Sequence, residues 1–206
     1  MRLILMRKEG GAIPCRRLKK LHNVMLEVYE SETTADATGS IDHIALSVEK
    51  VDHLFRYYVA SRAKTMEALK IKTKKNTPDG VLMYSLYGEK RDKIVLVRQY
   101  RVSIDDYIYE FPAGLVESGE EFHEAAVREM HEETGLTFHP LKVDPCYEKP
   151  FFTTIGMTDE ACSAVYGWCE GEISRKYLEE SEVIEVVLAD REEAKRILRE
   201  ENVAIM

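Results

Sequence analysis

The stretch from Gly114 to Leu136 constrains this chain more than any other. Between Glu117 and Glu133 lie seven glutamates and one arginine, a local charge of −6 in 17 residues. Ser118-x-x-Glu121 has the spacing of a capping box, which starts a helix. Gly135 suits the left-handed position that ends one. The spacing therefore predicts a helix from about Glu121 to Glu133, flanked by loops at 114–120 and 134–136. On such a helix Glu129 and Glu133 are four apart, nearly in line on one face. Glu132 lies about 60° round the axis from Glu129, and Ala125 and Ala126 leave space one turn earlier. Like charges so spaced repel by roughly a few tenths of a kcal/mol each. Three carboxylates directed at one spot make sense around a hard divalent cation, and their oxygens suit Mg²⁺ or Mn²⁺ rather than zinc. A glutamate-rich helix can also be no more than a solvated face. The placement of the glycines and the arginine separates the two readings.

The rest of the chain says what surrounds this helix. With 206 residues, 45% hydrophobic and 32% charged, it reads as a globular protein able to bury its own core. A net charge of −8 disfavours non-specific binding to nucleic acid. An anionic substrate then needs a cation between it and the protein. No apolar run is long enough to cross a bilayer, and the apolar run near Met1 is too short for a signal-peptide core. Cys15, Cys146, Cys162 and Cys169 form no Cys-x-x-Cys pair and no zinc pattern. Reduced, mostly buried thiols in the cytoplasm are the expectation, with no nucleic acid and no membrane partner.

Along the chain, Arg16-Arg17-Leu18-Lys19-Lys20 reads as a solvated turn or extension, with phosphate binding as the alternative, and 30–39 as a polar loop. Strand-like runs follow at 44–48, 54–60, 81–87, 94–97, 107–111, 161–168 and 183–188. The charged segment 88–93 suggests a hairpin. Asp190 can cap a closing helix with Ala194, Ile197 and Leu198 on one stripe. Strands, a helix, strands and a helix give an α+β fold with a mixed sheet. The domain expectation is an N-terminal extension over 1–40, a small β-region over 41–78 that could serve dimerisation, and the main domain over 79–206.

Gly114, Glu120, Arg128, Glu129, Met130, Glu132, Glu133, Gly135 and Leu136 occupy the fixed positions of G-x5-E-x7-R-E-U-x-E-E-x-G-U, the Nudix box, with U aliphatic. Only Met130 departs, and it stays apolar. The chain thus resembles the Nudix hydrolases. Glu110-Phe-Pro-Ala-Gly114, the strand pattern 93–101, and the segments 156–160 and 182–186 are similar to the ADP-ribose pyrophosphatase branch. Ile155 stands where that branch has a proline.

The resemblance implies an α/β/α sandwich, a homodimer, and Mg²⁺-dependent hydrolysis of ADP-ribose or a related nucleotide sugar, with Mn²⁺ able to substitute. UDP-glucose is the alternative substrate, and a non-catalytic ADP-ribose sensor the alternative of another class. It implies Glu129, Glu133 and the carbonyl of Ala113 as metal ligands, assisted by Glu120 and Glu132, with Arg128 orienting the glutamates. Glu182 is the first candidate for general base and Glu180 the second, although 179–182 reads equally as a solvated acidic loop. Thr158 and Glu160 are candidates for the terminal ribose and Arg101 for phosphate or ribose; Arg98 is a weaker one. Phe151, Phe152, Tyr107 and Trp168 could stack a base or belong to the core.

Overall fold

The computed structural model describes residues 2–5, 16–21, 24–28, 46–49, 58–178 and 183–204. They fall into two compact units: residues 1–77 with 152–160, and residues 78–151 with 161–206.

In the first unit β1 (Arg2–Leu5), β2 (Arg16–Leu21), β3 (Val24–Val28), β4 (Leu46–Glu49) and β5 (Tyr58–Val59) precede a 3-10 turn (Met66–Ala68) and the short helix α1 (Lys70–Thr73). β4 pairs antiparallel with β1 and β5, and β2 pairs with β3. The basic cluster at Arg16–Lys20 is thus part of a paired strand rather than a solvated turn or extension; with Leu18 its only apolar residue, it carries no alternation to signal a strand. The polar segment 30–39 lies outside the described residues.

The second unit contains β6 (Gly80–Tyr87), β7 (Lys93–Arg101), β8 (Asp106–Glu110), β9 (Ala113–Leu115), α2 (Phe122–Thr134) and β10 (Thr137–Pro140). After β11 (Phe151–Phe152) come β12 (Ala161–Glu170), β13 (Ile184–Ala189) and α3 (Arg191–Glu200). The sheet order is β10-β12-β6-β7-β13, with β8 added to β7 and β9 to β6. β12 and β6 run parallel over eight residue pairs, whereas β10–β12, β13–β7, β6–β7, β6–β9 and β7–β8 are antiparallel. The sheet is therefore mixed, as the alternation of strand and helix signals predicts. The hairpin joining β6 and β7 is real but narrow, pairing Leu86 with Ile94 and Tyr87 with Lys93.

Alternation along β6 and β12 puts Val81, Met83, Val165 and Cys169 on one face. Ala125, Ala126 and Met130 of α2 close over them with Val95, Leu136 and Phe138. Glu129 and Glu133 lie on the strip of α2 that also carries Ala125 and Ala126, and Glu133 is buried with them. Two local expectations change. The N-cap of α2 is Glu121, whose carboxylate accepts from the backbone N–H of His123, not Ser118. Glu117 and Glu120 close a separate turn ahead of the helix, the Glu117 N–H donating to Glu120 Oε2 at 2.9 Å. In α3, Asp190 caps the N–H groups of Glu192 and Glu193 as expected, but only Ile197 is buried. Leu198 is 70% exposed, so the stripe is narrower than three residues.

No helix among the described residues is long and apolar enough to cross a membrane. Met130 has no exposed surface; truncating it to Ala should cost about 2–5 kcal/mol of stability in chemical denaturation. Leu198→Ala should cost less than about 0.5 kcal/mol. Equal losses would contradict this account of the core.

Candidate active site

Glu129 and Glu133 reach from α2 to the short strand β9, where backbone donors meet both. The N–H of Ala113 donates to Glu133 Oε2 at 3.2 Å, and the N–H of Leu115 to Glu129 Oε1 at 3.0 Å. Gly114 lies between them. A Cβ there would collide with the carboxyl group of Glu129, so only glycine lets the helix carboxylate lie flat against the strand. β9 is held in turn by pairing with β6, Gly80 opposite Leu115 and Leu82 opposite Ala113.

Burial pushes the carboxyl of Glu129 up from its ordinary value, against the pull of Arg128 beside it. Glu133 is almost fully buried. Two carboxylates at this depth are a poor arrangement for stability alone, and their oxygen donors fit a hard divalent cation.

Arg128 is the hub of the remaining charges. Its Nε donates to Glu120 Oε1 at 2.9 Å and its Nη2 to Glu120 Oε2 at 3.0 Å, a two-point contact. Nη1 meets Glu132 Oε2 at 2.8 Å and Glu129 Oε1 at 2.9 Å, while Nη2 also reaches the Leu115 carbonyl at 2.9 Å. The Arg128 contact holds the carboxyl of Glu120 below its usual range. The same Glu120 contact, offset partly by burial, raises the guanidinium pKa of Arg128. The arginine ties the helix to the loop 114–120 across eight residues of sequence.

Of the acidic residues singled out by sequence, the structure brings Glu129 and Glu133 to one strand and turns Glu120 and Glu132 to Arg128. As they stand, no three His, Cys, Asp or Glu side chains among the described residues converge as a metal cluster. Glu180 and Glu182 lie outside the described residues. Arg101 binds Glu110 through Nε at 2.7 Å and Nη2 at 2.5 Å. Arg98 lies over the ring of Tyr107 at 4.2 Å and beside Glu185 at 3.5 Å.

Thr158 and Glu160 belong to the other unit and form a cluster there. Glu160 accepts from Arg62 Nε and from Thr153 Oγ1 at 3.0 Å, and its own N–H donates to Thr158 Oγ1 at 3.1 Å. Among the aromatic candidates, Trp168 stacks on His139 at 4.1 Å and lies under Arg91, and Phe152 lies under Lys70. Phe151 and Phe152 are exposed, so neither is core. Glu110, which the sequence did not single out as a site residue, is almost fully buried at the end of β8; the only signal for it is a charge following Tyr107, Ile108 and Tyr109, just ahead of Pro112.

Comparisons with known proteins bear on the family and the fold. The family profile described as NUDIX domain matches residues 76–205. An ADP-ribose pyrophosphatase of Bacillus subtilis is 34% identical over 115 residues, 54% of this chain and 58% of that one. An ADP-ribose pyrophosphatase of Saccharomyces cerevisiae is 32% identical over 108 residues, 52% of this chain and 47% of that one. An ADP-sugar pyrophosphatase of the mouse is 36% identical over 87 residues, 41% of this chain and 40% of that one. The chain thus spans about half the length of these curated relatives. A solved structure described as an ADP compounds hydrolase shares the fold, with a TM-score of 0.54 at 18% identity over 93% of this chain and 86% of that one. With the family profile covering well over half of its length, this chain belongs to the Nudix family.

Proposed function

We propose that the protein is a Nudix pyrophosphatase that hydrolyses the diphosphate of ADP-ribose or a related ADP-sugar, giving AMP and a sugar phosphate. The carrying observation is the pair Glu129 and Glu133, drawn under the β9 backbone at a glycine where an added Cβ would collide with the Glu129 side chain. The names of the relatives support the ADP-sugar class.

In this reading Glu129, Glu133 and the carbonyl of Ala113 hold a divalent cation, Mg²⁺ with Mn²⁺ able to substitute, and Glu120 and Glu132 assist directly or through water. Bound there, such a cation neutralises phosphate oxygens and lowers the pKa of water. The chain's own part is positioning. Arg128 keeps four carboxylate and carbonyl groups in fixed register, which saves reorganisation when charge develops on the phosphate. Glu182, or Glu180 after it, takes the proton of the attacking water. Arg101 contacts the phosphates, and Thr158 and Glu160 hydrogen-bond the terminal ribose hydroxyls. A homodimer in the cytoplasm completes the reading and rests on the resemblance to the ADP-ribose branch.

Incubation with ADP-ribose and Mg²⁺ should yield AMP and ribose 5-phosphate, and EDTA should stop it. Glu133→Gln should lower turnover by about 100-fold or more, on the scale of several kcal/mol for a metal's charge stabilisation. Equal turnover by the variant would contradict the metal assignment. A panel with other ADP-sugars and UDP-glucose ranks the substrates by kcat/KM. Tight ADP-ribose binding without turnover would instead establish a sensor.

Gly114→Ala tests the geometry without touching a charge. Displacing Glu129 by about 1 Å should cost about 100-fold in kcat, with little loss of thermal stability. Undiminished kcat would show that the close contact is not needed.

A further inference from the structure

We infer that Glu110 is a positioning residue for diphosphate recognition, holding the Arg101 guanidinium in one fixed orientation beside the acidic helix. The inference rests on the pyrophosphatase reading and extends it to a residue outside the acidic helix.

The strand register is the first support. Val97, Gln99 and Arg101 share one face of β7, and their partners on β8 are Glu110, Ile108 and Asp106. The acid directly opposite Arg101 is therefore Asp106. Arg101 does not use it. Its side chain runs back along the strand, past the Gln99–Ile108 pair, to reach Glu110 at the far end of β8. Asp106 is engaged by the N–H of Tyr107 at 2.7 Å and by Asn202 at 3.3 Å. A free surface arginine would take the nearer partner with less loss of rotamer entropy.

The contact itself is the second. Nε and Nη2 of Arg101 meet the two oxygens of Glu110, fork to fork, which fixes the plane of the guanidinium as well as its distance. Glu110 is only 4% exposed, whereas the arginine keeps 42% of its side-chain surface in solvent. The base of the device is buried and its working end is open. A buried ion pair is poor value as a stabiliser, since well-packed apolar residues do as well.

Location is the third. Three residues after Glu110 comes Ala113, whose N–H holds Glu133. Arg101 feels that acidic helix: the bond to Glu110, and then the charge of Glu133, keep its guanidinium more basic than usual. An unrestrained arginine there would fold onto the helix carboxylates, as Arg128 does. Tied to Glu110, it stands aside as a cationic donor for phosphate oxygens.

The test uses the full chain and inorganic pyrophosphate with Mg²⁺, titrated by calorimetry, with ADP-ribose hydrolysis measured in parallel. Arg101→Ala and Glu110→Gln should each weaken pyrophosphate binding by about tenfold, the scale of one charge-assisted contact. The double variant should bind no more weakly than Arg101→Ala, because Glu110 acts through Arg101. Arg101→Lys keeps the charge, loses the fork, and should bind as weakly as Arg101→Ala. Unchanged affinity in Glu110→Gln, multiplying losses in the double variant, or no pyrophosphate binding by the wild type would overturn the inference. If Glu110→Gln fails to fold, wild-type affinity in Arg101→Lys overturns it instead. A wild type that binds pyrophosphate but leaves ADP-ribose intact removes the substrate reading, while the binding cycle still decides the role of Glu110.

Discussion

Two backbone N–H groups of a three-residue strand catch two glutamates of a helix, and the arrangement of the site depends on that contact. The strand must come close, so the residue between the two donors is Gly114. The carboxylates must come in from solvent, so one of them, Glu129, resists ionisation through burial. A counter-charge must then sit alongside, and Arg128 supplies it while reaching back to Glu120. Each of these features is costly alone. Together they form a preorganised anionic wall whose chemistry suits a divalent cation.

The scaffold explains why the wall keeps its shape. The parallel pair β6–β12 is buried over most of its length, and α2 is anchored on it through Ala125, Ala126 and Met130. β9 pairs with the first residues of β6, so helix and strand are referred to the same central element. The helix ends cleanly because Gly135 takes a left-handed φ of 76° and its N–H bonds to the carbonyl of His131. The register of Glu129 and Glu133 against β9 is thereby set from both sides of the contact.

Much of this was legible in sequence because it is local. The helix, its stop at Gly135 and the in-line pair Glu129 and Glu133 follow from spacing within 20 or so residues. The strand at 81–87 and the closing helix after Asp190 were legible for the same reason. What escaped depends on tertiary choices. Ser118 and Glu121 match a capping box by spacing, yet Glu117–Glu120 closes a turn first and the helix starts later. Leu198 matches the helical stripe of α3, yet α3 buries only Ile197. Arg101 chooses Glu110 over its cross-strand neighbour, and no one-dimensional spacing encodes that preference. Glu132 is diverted to Arg128 because an i,i+4 partner of opposite charge lies within reach.

The central claim is that the wall formed by Glu129, Glu133 and the carbonyl of Ala113 holds a divalent cation. Anomalous scattering from crystals grown with Mn²⁺ and a nucleotide addresses it directly. The account predicts a manganese peak about 2.0–2.6 Å from oxygens of Glu129 and Glu133. No peak there, or manganese found only at other carboxylates with the nucleotide in place, would contradict it.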